Sequence, residues 1–140
     1  MILFVDDDLY HLENDISNLR ACGYKVHHAS TVDEAVDFIA THRNEIDGVI
    51  CDIMMPHGEA FTAAETRAGL RAGLKLFEWA RKQWPDLLFV IFTNVQYENL
   101  RGYFEKEPRC IYMQKQDYWG TKFPEQIKKI IPLPAEDRKN

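Results

Sequence analysis

Six residues able to bind or transfer charged groups stand at the ends of short apolar runs. Asp6, Asp7 and Asp8 follow Ile2-Leu3-Phe4-Val5, and Asp52 follows Gly48-Val49-Ile50-Cys51. Thr93 closes the run Leu87 to Phe92, and Lys115 lies just beyond Cys110 to Met113. Carboxylates packed together repel one another unless a cation intervenes. An oxygen-rich site with open positions suits Mg²⁺, which takes one or two carboxylates plus a phosphate and keeps several waters. Lys115 would offer a point charge to a phosphoryl oxygen, and Thr93 a neutral hydrogen bond to another. A carboxylate at the centre of such a set can act as a nucleophile and form an aspartyl-phosphate. Taken singly each residue has a plainer reading. A strand-end Asp caps turns and helices, and a strand-end Lys is a solvated charge.

The elements around these residues bring them to one place. Ile2 to Val5 is the continuous apolar run of a strand buried on both faces. Leu9, Leu12, Ile16 and Leu19 form a helical stripe that Gly23 ends. Lys25 to Ala29 reads as a weaker strand, and Thr31-Val32-Asp33-Glu34 as a capping box before the stripe Val32, Ala35, Val36 and Ile39. Gly48 to Asp52 is a third strand, and Leu74, Phe77, Ala80 and Trp84 mark a third helix. Leu87 to Phe92 is a fourth strand, Gln96 to Phe104 a weak helix carrying Gly102, and Cys110 to Met113 the last strand. Pro124 suits the first turn of a final helix with Ile127, Ile130 and Ile131 on one face. Strict alternation of strand and helix predicts an α/β protein, with one parallel sheet, doubly wound, joined by right-handed crossovers. In such a sheet every strand ends on the same edge, where ligands bind.

Composition narrows the field. A chain of 140 residues fits one domain with a core of its own. Hydrophobic residues at 46% and charged residues at 28% exclude wholesale disorder. Seventeen basic against 22 acidic residues give a net charge of −5, which disfavours direct nucleic-acid binding. No apolar run reaches the ~20 residues of a membrane span, and no signal-peptide pattern precedes the first strand. Cys22, Cys51 and Cys110 form no CxxC pair, so a reducing, cytoplasmic location is expected. His11, His27, His28, His42 and His57 lack metal spacing and read as surface or sheet-edge residues, with His57 nearest the strand ends. Trp79, Trp84 and Trp119 read as core and cover. The stretch between Asp52 and Leu87 exceeds one helix and two loops by roughly ten residues. The surplus falls around 57–72, either as a surface insertion or as a lid or partner surface.

Together these pieces resemble the receiver domains of two-component response regulators. The matching segments are ILFVDDD at 2–8, VICDIMMP at 49–56, FVIFTN at 89–94 and IYMQK at 111–115. They run in order over nearly the whole chain, and the segment from Asp52 to Pro56 is the most specific. The resemblance implies a flavodoxin-like (βα)5 fold, with a stand-alone receiver over 1–132; the tail over 133–140, Pro-containing and charged, reads as frayed. It implies that Asp52 is the phosphoacceptor, phosphorylated in a Mg²⁺-dependent reaction by a histidine kinase or phosphotransfer protein. Asp7 would bind the metal directly and Asp6 mainly through water, with Asp52 and the backbone carbonyl of Met54 as further ligands. Lys115 would pair with an acid at rest and with the phosphoryl group afterwards, Thr93 would bond a phosphoryl oxygen, and Tyr112 occupies the aromatic switch position. The output would be an altered surface for a downstream protein partner rather than an enzyme activity, with no membrane or nucleic-acid contact.

The sequence also departs from that family. Gln116 stands where receivers usually carry a cis proline, so another loop shape is expected there. Asn94 replaces a small residue, and Met54 and Val95 flank the expected path of the hydrolytic water with side chains unable to hold it. The last helix is short. Two other readings remain open at this level. One is a receiver-like interaction module with a vestigial site. The other is a phosphatase resembling the haloacid dehalogenases, with Asp6 of Asp6-x-Asp8 as nucleophile; it lacks the further acidic pair after the lysine and leaves Asp52 without a role.

Overall fold

Runs too apolar to face water on either side become the three central strands, the partly polar runs Val26–Ala29 and Cys110–Gln114 become the edge strands, and striped segments become the helices that cover them. A computed structural model describes residues 1–55, 58–62, 71–94 and 98–133, without the side chains of Leu9, His11 and Glu98. The elements are β1 (Ile2–Val5), α1 (Leu9–Ala21), β2 (Val26–Ala29), α2 (Val32–His42), β3 (Gly48–Cys51), α3 (Ala72–Gln83), β4 (Phe89–Thr93), α4 (Glu98–Lys106), β5 (Cys110–Gln114) and α5 (Lys122–Ile130). Short 3₁₀ turns occupy Arg43–Glu45 and Lys115–Asp117. Pro56, His57, Val95, Gln96, most of the 57–72 stretch and the tail from 134 lie outside the described residues.

The five strands are parallel and ordered β2-β1-β3-β4-β5. Every residue of β1, β3 and β4 is buried, as continuous apolar runs require. Alternate residues feed two cores. Leu3, Val5, Val49, Cys51, Phe89 and Ile91 pack beneath α2, α3 and α4. Ile2, Phe4, Ile50, Val90 and Phe92 pack beneath α1 and α5, where Leu12, Ile16, Leu19, Phe123 and Ile127 meet them. The helix stripes therefore point where their spacing predicts.

Terminal details differ from the sequence expectation for local reasons. Gly23, at φ +108°, takes the left-handed turn that ends α1. At the start of α2 the Thr31 hydroxyl accepts from the Glu34 amide at 3.1 Å. The Glu34 carboxylate reaches back to the Ser30 amide rather than to Thr31, so only one arm of the capping box forms as expected. β3 stops at Cys51, which leaves Asp52 just outside the ladder, and β5 runs on to Gln114. Trp79 and Trp84 pack against the core, but Trp119 is 75% exposed, contrary to the expectation of cover. Among the described residues no helix is long and apolar enough to cross a membrane.

Candidate functional site

β1 and β3 are parallel neighbours, but the chain goes on from β1 to β2 on one side and from β3 to β4 on the other, through helices on opposite faces of the sheet. In an open α/β sheet the carboxyl edge at such a switch point is where ligands bind. The Asp6 amide donates to the Ala29 carbonyl, and the Asp52 amide to the Val5 carbonyl, both at 3.1 Å. Both acids thus leave the ladder together, at the switch point. Thr93 pairs with Gln114, so Lys115 begins one step further along the same edge.

The four side chains meet. The Lys115 ammonium donates to Asp6 Oδ2 at 2.8 Å and to Asp52 Oδ2 at 2.9 Å. The Thr93 hydroxyl donates to Asp52 Oδ1 at 2.6 Å, and the Ile53 amide donates to the same oxygen at 2.7 Å. Asp6 Oδ1 accepts from the Asp8 amide at 2.9 Å. Asp6 and Thr93 are fully buried, while the Asp52 carboxylate keeps 12% exposure. Asp52 is therefore held from three sides yet reachable from solvent.

One cation shared by two carboxylates leaves the group one positive charge short. The deficit appears in the proton affinities. Burial pushes the Asp6 carboxyl up to about 6, because attraction from Lys115 does not fully offset desolvation and Asp52 adds repulsion. Burial also works against the Lys115 charge, but there the pull of Asp52 and Asp6 prevails and raises its proton affinity. The shifts agree, since Lys115 faces two opposite charges and Asp6 faces one of each sign. Asp15, half-buried on α1, is raised by desolvation, moderated by Lys115.

A pH dependence follows for the metal-free protein. Folded Asp6 binds its proton more tightly than the unfolded carboxyl, whose ordinary value is 3.8. The stability contributed is fully present below pH 3.8 and is lost as pH rises through about 6, a swing of about 3 kcal/mol. Lys115, raised, contributes throughout that window and loses its contribution only in alkali. Urea unfolding in EDTA should show Asp6→Asn lacking this decline between pH 4 and 7. An identical decline in both proteins would assign it to another group.

The other expected residues are placed as follows. Asp7 and Asp8 are exposed, as is Asn94, and the Met54 side chain is 43% exposed. Tyr112 is buried on β5 beneath the Arg101 guanidinium, 5.5 Å from the ring centre. Burial pushes its hydroxyl up. Gln116 lies in the 3₁₀ turn Lys115–Asp117 that follows β5. Among the described residues, no three acidic, histidine or cysteine side chains are grouped closely enough to hold a metal ion. Two carboxylates carrying a residual negative charge do match what magnesium asks of a protein, with phosphate and water completing its shell. The donor set therefore fits the ion.

Several contributors carry no clear sequence signal. Gly73 lies in the first turn of α3, and its amide donates to the Ile53 carbonyl at 2.8 Å. A β-carbon there would sit 1.9 Å from the Asp52 carbonyl oxygen, so only glycine lets α3 approach the Asp52 peptide. The Asp33 carboxylate accepts from the amides of Glu59 and Ala60, tying the segment after β3 to α2. From sequence, Asp33 is an ordinary acid in a helix's first turn. Beside Lys115 a cleft of about 640 Å³ runs between α1 and the β5–α5 turn, its walls including Asp15, Phe92, Asn94, Tyr118 and Trp119.

No protein-family model matches the chain, and no curated protein matches it significantly. Solved structures do. A response regulator receiver domain protein from Clostridium thermocellum is 24% identical, with a TM-score of 0.74 over 93% of this chain and 92% of that one. The non-phosphorylated HemR receiver domain from Leptospira biflexa is 24% identical, with a TM-score of 0.75 over 96% and 95%. A CheY-like receiver domain protein from Methanospirillum hungatei is 23% identical, with a TM-score of 0.73 over 99% and 95%. With five parallel strands in the order β2-β1-β3-β4-β5 and helices on both faces, the chain has the fold of the response regulator receiver domains.

Proposed function

We propose that the chain is a phosphoryl-accepting signalling switch, with Asp52 as the acceptor and a phosphohistidine on a partner kinase or phosphotransfer protein as the donor. The observation that carries this reading is the contact of Lys115 and Thr93 with opposite oxygens of one partly exposed carboxylate. Oδ1 is held by two donors and Oδ2 by one, so Oδ2 is the attacking oxygen. It forms a bond to phosphorus as the bond from phosphorus to the donor imidazole nitrogen breaks, and that nitrogen keeps the electron pair and takes up a proton. Lys115 then transfers its hydrogen bond from Asp52 to a phosphoryl oxygen, and the Thr93 hydroxyl turns to another. Alignment and charge neutralisation supply most of the catalysis in such transfers. Bound Mg²⁺ would neutralise phosphoryl charge, held by Asp6, Asp7, Asp52 and the Met54 carbonyl. An inward turn of Thr93 would alter the packing near Tyr112 and so the surface offered to a downstream protein.

The joined site argues against a vestigial one. Asp6, only 1% exposed and committed to Lys115 and the Asp8 amide, is poorly placed as the nucleophile of a phosphatase. Beryllofluoride with Mg²⁺ tests the switch, because it mimics the phosphoryl group without hydrolysis. Amide resonances of Thr93, Tyr112 and Lys115 should move in the parent and stay in place in Asp52→Asn. A parent spectrum unchanged by the mimic contradicts the reading.

The phosphorylated state should also be long-lived. Hydrolysis needs a water held in line behind phosphorus, and neither Met54 nor Val95 carries a group to hold it. A Met54→Asn, Val95→Glu double variant should lose its phosphate faster than the parent. Equal decay would show that these side chains do not set the lifetime.

A further inference from the structure

We infer that His28 is a positioning residue for the acidic pair Asp6 and Asp7, through a hydrogen bond from its imidazole to the Asp6 carbonyl; this rests on the function proposed above. One residue past β1, the Asp6 amide still faces β2, where it donates to the Ala29 carbonyl. In an extended chain the carbonyl of the same residue faces the same neighbour. The β1–β2 register ends at Val5 and Ala29, and the chain then turns away so that Thr31 can cap α2. The ladder therefore stops one step short of a donor for the Asp6 carbonyl. His28, half-buried on β2 opposite Phe4, fills that place: its Nε2 lies 2.8 Å from the Asp6 carbonyl oxygen. A carbonyl only accepts, so the proton is on Nε2.

That carbonyl belongs to the rigid peptide plane joining Asp6 to Asp7. On the far side of Asp7, the Asp8 amide is bound to Asp6 Oδ1 at 2.9 Å. The backbone of Asp7 is thus clamped before and after, although its side chain is exposed. His28 fixes the plane from which Asp7 projects, and the same bond steadies Asp6, whose carboxylate holds Lys115. Partners placed behind metal ligands in this way commonly change metal affinity or activity by about 10–100-fold when removed.

The test compares parent, His28→Ala and His28→Gln by Mg²⁺ titration of the melting temperature, and by the Mg²⁺ requirement for phosphorylation with acetyl phosphate. Half-saturation by Mg²⁺ should rise by about tenfold in His28→Ala and return close to the parent value in His28→Gln, whose amide keeps an N–H donor. A merely structural role would lower the metal-free melting temperature and leave half-saturation unmoved. If His28→Ala does not fold, His28→Phe, which fills the space without a donor, takes its place in the comparison. Unchanged half-saturation in the donor-free variant, with a parent that binds Mg²⁺ and is phosphorylated, overturns the inference alone. A parent that does neither overturns the proposed function and the inference with it.

Discussion

Lys115→Met is expected to lower the stability of the metal-free protein by about 3 kcal/mol at pH 8, because it leaves buried carboxylates without their counter-charge. Asp6 is 1% exposed, so its charge cannot be rehydrated without movement, and Asp52 at 12% exposure is only partly hydrated. The loss should shrink toward pH 5, since Asp6 can then take a proton and its repulsion of Asp52 disappears. By the same logic Asp6→Asn should restore most of the stability in the double variant, a coupling that a mutant cycle measures directly. Urea unfolding in EDTA at pH 5 and 8 gives all four values. Equal stability of Lys115→Met and parent at pH 8 would mean that the ammonium contributes nothing to the resting fold.

Gly73→Ala is expected to cost about 3 kcal/mol, at the upper end of what overpacking usually does, because the obstacle is backbone. The new methyl would meet the Asp52 carbonyl oxygen and the Ile53 α-carbon, neither of which can swing aside as a side-chain tip does. Relief requires α3 to withdraw or the Asp52 peptide to turn, and either moves the acceptor relative to Lys115 and Thr93. Phosphorylation should therefore slow along with the loss of stability. Gly102 provides the opposite case. It lies in α4 with nothing within 4 Å of its added carbon, so Gly102→Ala should stabilise by about 1 kcal/mol through helix propensity alone. Thermal unfolding of the two variants checks the difference in sign.

The part of the site legible in the sequence is the part that strand geometry dictates. Asp6, Asp52 and Lys115 each follow a largely apolar strand and Thr93 ends one, and a parallel sheet leaves such residues no choice of edge. Their convergence could be read before any coordinates. The helix stripes were legible for the same reason: Leu12, Ile16 and Leu19 recur at the helical period and all are buried. What could not be read depends on contacts between elements. Gly73 resembles any small residue near a helix start until the Asp52 carbonyl is seen beneath it. His28 looks like a sheet-edge histidine because its role arises where the β2 ladder stops and a carbonyl is left over. Asp33 holds two amides of a segment far along the chain, which no local pattern encodes. Asp7, beside Asp6 in sequence, points to the surface because adjacent residues leaving a strand project to opposite sides.

The central claim is that Asp52 is the phosphoacceptor, and locating the phosphate tests it most directly. The protein is treated with acetyl phosphate and Mg²⁺, the intact mass is recorded, and the acyl phosphate is trapped by borohydride reduction before peptide mapping. The account predicts one added phosphate, trapped at Asp52 and absent from Asp52→Asn. Label at Asp6, or a parent whose mass does not change, would contradict it.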